Sequence, residues 1–262
     1  MSVTVVTGFS PEGLNEYGWN FIKSFCENWP VEVMLVMYVE APIFDIRLTP
    51  IDKFIGGKRR RVEIRLLLEA RGCAEFIARH KDNPAACGTD VQSNWKERER
   101  DEGYNFRFDA VKFCRMAMFA ADAARKIEPG RILVWLDGDV MTKRPVPENF
   151  VEGLIGDHEV CYLGREPKHP DTAFVAFQDE GLAVARHWGN IYEDDAVFHL
   201  PETHSAFVLR CVMKGMENLG LDALNLTPKG RGHVWFQSPL AQYMDHLKGQ
   251  KRKRRGRSKE WK

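Results

Sequence analysis

The stretch Arg131-Ile-Leu-Val-Trp-Leu136 runs directly into Asp137-Gly138-Asp139. An unbroken apolar run of this length, ahead of a polar turn, reads as a fully buried strand. In open α/β sheets, ligands collect at the carboxyl ends of such strands. Two carboxylates at i and i+2 can share a hard divalent cation, whose remaining positions are filled by phosphate oxygens and water. Asp137 and Asp139 are therefore the first candidates for catalysis and for a Mn²⁺ or Mg²⁺ ion. Gly138 is expected to let the backbone approach closely and to take positive φ. The alternative is a plain Asp-Gly turn.

Upstream, Val3-Thr-Val-Val-Thr7 reads as a buried strand stopped by Gly8. A helix follows and ends before Pro30, and Val31 to Tyr38 gives a second strand. Strand, helix and strand in under 40 residues form a βαβ unit and predict a parallel sheet. Ile64 to Leu68 is a further strand and Ala74 to His80 a short helix. The polar stretch Lys81 to Arg107, with Asn83-Pro84 and the charge-dense Lys96 to Glu102, reads as either a functional loop or a disordered connection. Asp109 then caps a helix continuing to Lys126, and Pro129-Gly130 breaks it. Beyond the Asp-Gly-Asp motif come a helix from Pro147 to Ile155 and strands at Val160 to Leu163 and Ala173 to Phe177. Helices at Glu180 to Ile191 and Glu202 to Leu219 follow, with a strand at His233 to Phe236.

The formal charge of +1 conceals an uneven distribution, because residues 248–262 carry nine Lys or Arg and one Glu. An acidic body with a basic tail divides the chain at residue 247 and suggests a polyanionic partner. The block Lys251 to Arg255 could neutralise nucleic-acid phosphates, helped by Lys58-Arg-Arg-Arg61, or serve a diphosphate near its beginning. Six scattered cysteines without a C-x-x-C pair argue against a zinc ribbon or disulfide scaffold. No run is long enough to span a membrane, and the first residues lack the pattern of a secretory signal. A cytoplasmic location is expected. Oligomeric state is not legible.

His246-Leu-Lys-Gly249-Gln-Lys251 can add an imidazole to the cation, with backbone N–H groups and an ammonium for a diphosphate. Taken with Val3 to Thr7, the Asp109 helix and Asp137-Gly138-Asp139, this segment resembles the GT-A-type nucleotide-sugar glycosyltransferases. The glycogenin-like and galactosyltransferase-like retaining enzymes are the nearest in pattern. Asn83-Pro84 through Gly103-Tyr-Asn-Phe-Arg-Phe-Asp-Ala-Val-Lys112 also resembles phage-encoded proteins of glycosyltransferase type.

The resemblance implies a single GT-A (Rossmann-like) α/β domain over residues 1–247, with a mostly parallel central sheet flanked by helices. Thr7, Gly8 and Tyr17 would hold the nucleoside base, and Arg107, Asp109 and Lys112 would lie near ribose, sugar or diphosphate. Asp137, Asp139 and His246 would bind Mn²⁺ or Mg²⁺, and Gly249 and Lys251 the diphosphate. It also implies a nucleoside diphosphate sugar as donor, UDP-linked by expectation, and a hydroxyl acceptor. With the phage pattern and the basic tail, a hydroxymethylated base in DNA is one such acceptor, reached in the host cytoplasm. The motif departs from the family where Lys251-Arg-Lys-Arg-Arg replaces Lys-Pro-Trp, and where Asp171-Thr172-Ala173 replaces Asn-Ser-Gly.

Two other readings compete. A haloacid-dehalogenase-type phosphatase would use Asp137 as nucleophile and Asp139 as acid, with Asp194 or Asp195 on Mg²⁺. A nucleic-acid-binding protein would act through its tail alone. Without a family context, Lys112 reads as a solvated helix residue; Asp194-Asp195, Glu202 and His204 read as a helix cap and its first turn, or, by their place after the inner strands, as candidates for donor-sugar or acceptor contacts.

Overall fold

Val3–Phe9 (β1) and Ile132–Leu136 (β4) are aliphatic runs buried on both faces, and they pair in parallel with Val3 opposite Ile132. The computed structural model describes residues 2–40, 61–89, 103–165, 167–228 and 233–249, and residues 253, 256–258 and 261. Around β1 and β4 the sheet adds β2 (Met34–Val39), β3 (Val62–Leu66), β6 (Val160–Arg165), β7 (Lys168–Phe177) and β8 (Ala223–Asn225). The order is β3-β2-β1-β4-β7-β6-β8. Only β7 runs against its neighbours β4 and β6.

Crossover helices cover both faces, as parallel strands require. One apolar layer packs α1 (Trp19–Asn28) on the sheet through Phe21, Ile22 and Phe25. The other packs α2 (Cys73–His80), α3 (Ala110–Lys126), α5 (Leu182–Glu193) and α6 (Ser205–Glu217). A short helix, α4 (Phe150–Ile155), lies before β6. Alternation along the strands explains the two layers, because Val5 and Val134 face α1 whereas Val6 and Leu133 face α3. The expected helix of residues 109–126 forms as read: the Asp109 carboxylate accepts from Lys112 N at 2.9 Å, and Lys126 ends it.

A second sheet was not expected. Val140–Thr142 (β5) and Met244–His246 (β9) pair antiparallel, with Val140 opposite His246. This ribbon starts one residue after the Asp-Gly-Asp motif and ties the C-terminal segment to it. The expected strand at His233 to Phe236 is instead a 3₁₀ turn, Val234–Gln237. Gly138 does not have positive φ. It is small because a Cβ there would overlap the buried Phe9 ring.

The basic segments also differ from expectation. Arg61 is buried, and its guanidinium donates to the carbonyls of Trp29, Pro30 and Val33 at 3.2, 2.6 and 3.4 Å. It is a structural cap for the turn before β2 and not a phosphate contact. Lys58 to Arg60 lie outside the described residues. The described part of the tail folds back on the ribbon. Ser258 N donates to buried Asp245 at 2.8 Å, Lys143 Nζ donates to Gly256 O at 2.8 Å, and the Arg144 guanidinium lies over the buried Trp261 ring. All six cysteines are unpaired, and no helix among the described residues is long and apolar enough to cross a membrane.

Candidate active site

The carboxyl end of β4 places Asp137 and Asp139 at the floor of a cleft of about 580 Å³, within the ordinary size range of small-molecule sites. Asp137 N donates to Ala173 O of β7 at 3.0 Å, and Val140 N closes a turn onto Asp137 O at 3.0 Å. Trp135, two residues earlier and therefore on the same side of the strand, donates its indole N–H to Asp137 Oδ1 at 2.9 Å. Pairing of β9 with β5 carries His246 to the same point. Its Nε2 lies 3.2 Å from Asp139 Oδ1, and Leu247 N donates to Asp139 O at 3.0 Å. From the tail, Lys253 Nζ lies 3.2 Å from Asp139 Oδ2 and 4.1 Å from the centroid of the Tyr17 ring.

The charges are unequal by design of their surroundings. Loss of hydration and the nearby Asp139 charge push the Asp137 carboxyl well above the usual carboxylate range. Asp139 suffers the same desolvation, but His246 and Lys253 hold it below that range. The His246 imidazole is 2% exposed; desolvation disfavours its cation, yet Asp139 outweighs this and raises its pKa. Behind them Asp171 of β7 takes Lys248 Nζ at 3.1 Å, which with His246 and Arg165 overcomes desolvation and lowers it to about 2.

These residues fit a divalent cation. Asp137, Asp139 and His246 offer ligand atoms that all lie within 4.8 Å of one another. His246 Nδ1 is buried without a hydrogen-bond partner, and two carboxylates already repel one another in a poorly hydrated site. Oxygen-rich donors with one imidazole suit Mn²⁺ or Mg²⁺.

The walls above include five aromatic side chains: Phe9, Tyr17, Phe113, Phe119 and Trp135. At the end of β2, Glu40 makes a two-point ion pair with Arg115 of α3, with Nη2–Oε2 at 2.9 Å. Gly8 lets β1 pass the Phe119 ring, since a Cβ there would come within 2.6 Å of it. Desolvation, reinforced by Asp139, raises the Tyr17 hydroxyl to about 12, so it stays protonated as a hydrogen-bond donor.

Of the sequence candidates, Gly8, Tyr17, Asp109, Lys112, Asp137 and Asp139 line the cleft. Asp109 does so while capping α3 and accepting from the Tyr104 hydroxyl at 2.8 Å. Lys112 is exposed, with its ammonium over the Tyr104 and Phe113 rings. Thr7 is buried beneath the cleft and its hydroxyl has no partner. Arg107 is turned to Glu202 at 3.1 Å. Gly249 has φ +89° in the segment after β9, and Lys251 lies outside the described residues. Asp195 pairs with Arg79 and His80, each at 2.9 Å, and so does not complete a phosphatase-type carboxylate set with Asp137. Residues the sequence did not single out are Trp135, Lys253 and the Lys248–Asp171 pair. Trp135 alone carried a signal, its i−2 position on the strand of Asp137.

No protein-family model matches the chain, and no curated protein matches it in sequence. Solved structures do resemble it. A bifunctional glycosyltransferase, WbbM, superposes with a TM-score of 0.51 at 9% identity, over 95% of this chain and 46% of that one. Mouse xyloside xylosyltransferase 1 gives 0.48 at 11% identity, over 90% of each chain. A glycosyltransferase involved in glycosylating the major capsid of the virus PBCV-1 gives 0.47 at 11% identity, over 97% of this chain and 100% of that one. The mostly parallel seven-stranded sheet with helices on both faces is thus the GT-A-type glycosyltransferase fold.

Proposed function

We propose that this chain is a metal-dependent glycosyltransferase that moves a sugar from a nucleoside diphosphate sugar to a hydroxyl acceptor, with UDP as the nucleotide. The observation that carries the reading is the meeting of Asp137, Asp139 and His246, from β4 and β9, at the floor of an aromatic cleft in this fold. Asp137, Asp139 and His246 would hold the cation, which when bound neutralises charge growing on the leaving diphosphate. The aromatic walls suit a base, which every nucleotide offers as a flat apolar face. Tyr17 keeps its proton and can donate, while the Lys253 ammonium beside it is placed to take a diphosphate oxygen. Lys253 thereby joins Lys251, the residue of the sequence pattern, as a candidate for the diphosphate. Holding donor and acceptor in one closed site would supply much of the rate by orientation.

Thermal melting tests the reading. The wild-type chain is expected to gain several degrees with Mn²⁺ and UDP together, because a ligand of the folded state alone raises its stability. Asp139→Ala should abolish the gain. A wild-type chain that gains nothing from any nucleoside diphosphate with Mn²⁺ or Mg²⁺ would overturn the proposal.

A further inference from the structure

A second set of converging ligands stands apart from the carboxylate pair. His169 lies at the start of β7, and Glu202 and His204 lie in the turn leading into α6. Glu202 Oε2 is 2.8 Å from His204 Nε2 and 3.5 Å from His169 Nε2, and one ligand atom from each residue lies within 4.8 Å of the others. Arg107 holds the outer oxygen, Oε1, at 3.1 Å. His204 is 6% exposed, and His169 Nδ1 is buried without a partner. The Phe106 and Phe207 rings pack against the two imidazoles, with centroids 5.5 Å from His204 and 5.1 Å from His169.

As hydrogen bonds alone these contacts are incomplete. Two imidazole nitrogens face one carboxylate oxygen, and the longer separation is at the limit for a bond. As a ligand set they are well matched. Atoms bound tetrahedrally at about 2.0–2.1 Å from an ion stand roughly 3.3 Å apart, which is between the two separations seen. A carboxylate fixed through its second oxygen, here by Arg107, is the usual support for a metal ligand. Two imidazoles and one carboxylate favour Zn²⁺ and similar ions over Mg²⁺.

We propose that His169, Glu202 and His204 form a second divalent-metal site, for Zn²⁺-class ions, distinct from the Asp137–Asp139–His246 site. It joins the start of β7 to the start of α6. Through Arg107, whose carbonyl accepts from Thr203 N at 2.7 Å, it also fixes the turn ahead of α3. That turn positions Asp109 and Lys112 at the cleft.

Metal analysis tests this without any sugar donor, so its outcome is separate from that of the transferase reading. The Asp139→Ala chain, stripped of metal and dialysed against Zn²⁺, is expected to hold one ion per chain despite a large excess of Mg²⁺. Co²⁺ in its place should give the strong visible bands of a four- or five-coordinate ion. Adding His169→Ala, which removes a partly exposed ring, should eliminate both signals while circular dichroism stays unchanged. Glu202→Gln should weaken Zn²⁺ at least tenfold. If Asp139→Ala does not fold, the same loss of one Zn²⁺ per chain is read between the wild type and His169→Ala. No Zn²⁺ in folded Asp139→Ala, Zn²⁺ that persists when His169→Ala is added to it, or an equal Zn²⁺ content in the wild type and the single His169→Ala chain would overturn the proposal.

Discussion

At the scale of single residues, the proposed metal site sets binding against stability. Asp137 sits with few waters beside a second carboxylate, an arrangement that costs the free chain energy and that a bound cation would relieve. Replacing Asp137 by Asn keeps the shape and an oxygen for the Trp135 indole N–H while deleting the charge. The metal-free Asp137→Asn chain is expected to melt above the metal-free wild type by about 2–4 °C, the shift of ~1 kcal/mol in a chain of this size. Its melting temperature should then ignore Mn²⁺. Calorimetry with and without the ion checks both, and an Asn chain that melts lower without metal would show that the repulsion is already relieved. Lys253 gives a complementary prediction. In the proposed function its ammonium, which lies beside Asp139 and the Tyr17 ring, would also donate a charged hydrogen bond to the diphosphate, and its removal would delete that bond. Lys253→Met should weaken UDP about 10- to 100-fold in titration calorimetry, the worth of ~1.5–3 kcal/mol for a bond to a charged group, whereas Lys253→Arg should lose less.

At the scale of elements, what could be read from the chain depended on length and period. α3 was legible to its ends because Asp109 caps it and an apolar stripe runs to Lys126. β4 was legible as an apolar run with a carboxylate at its end. β5, β8 and β9 have three residues each and show no period. They exist through pairings between distant parts of the chain, which no local window contains. His246 illustrates the consequence: the sequence offers it as an imidazole for the cation, but only its pairing with β5 buries it beside Asp139. Of the two reasons expected for Gly138, close approach holds, against the Phe9 ring, and positive φ does not. Gly138→Ala is therefore expected to push the Phe9 ring into packed core, at a cost of about 1–3 kcal/mol, and to shift both carboxylates. Loss of Mn²⁺ affinity together with a lower melting temperature is the expected result. A variant with unchanged melting and metal affinity would mean that Phe9 yields freely.

At the scale of the whole molecule, the tail is the feature whose charge said least about its place. Nine basic residues from Lys248 onward suggest an arm in solvent. The described ones instead carry the chain back across the ribbon: Lys248 to Asp171, Lys253 to Asp139, Ser258 to Asp245. Asp245 is fully buried and both its oxygens are bonded by Ser258. Ending the chain at Lys251 would strand that carboxylate and expose the Trp261 site against Arg144. An uncompensated buried charged group costs upward of ~1–3 kcal/mol, so the truncated chain should melt at least about 2–6 °C lower. An arm serving only nucleic acid would leave both stability and donor binding intact when removed. A docked tail that completes the donor site predicts that both fall together. Ser258→Ala separates the two effects, since it removes one bond to Asp245 but leaves Lys253 in the chain. It should lower the melting temperature by less than truncation does. It should also keep the Mn²⁺- and UDP-dependent gain, which truncation at Lys251 should largely remove.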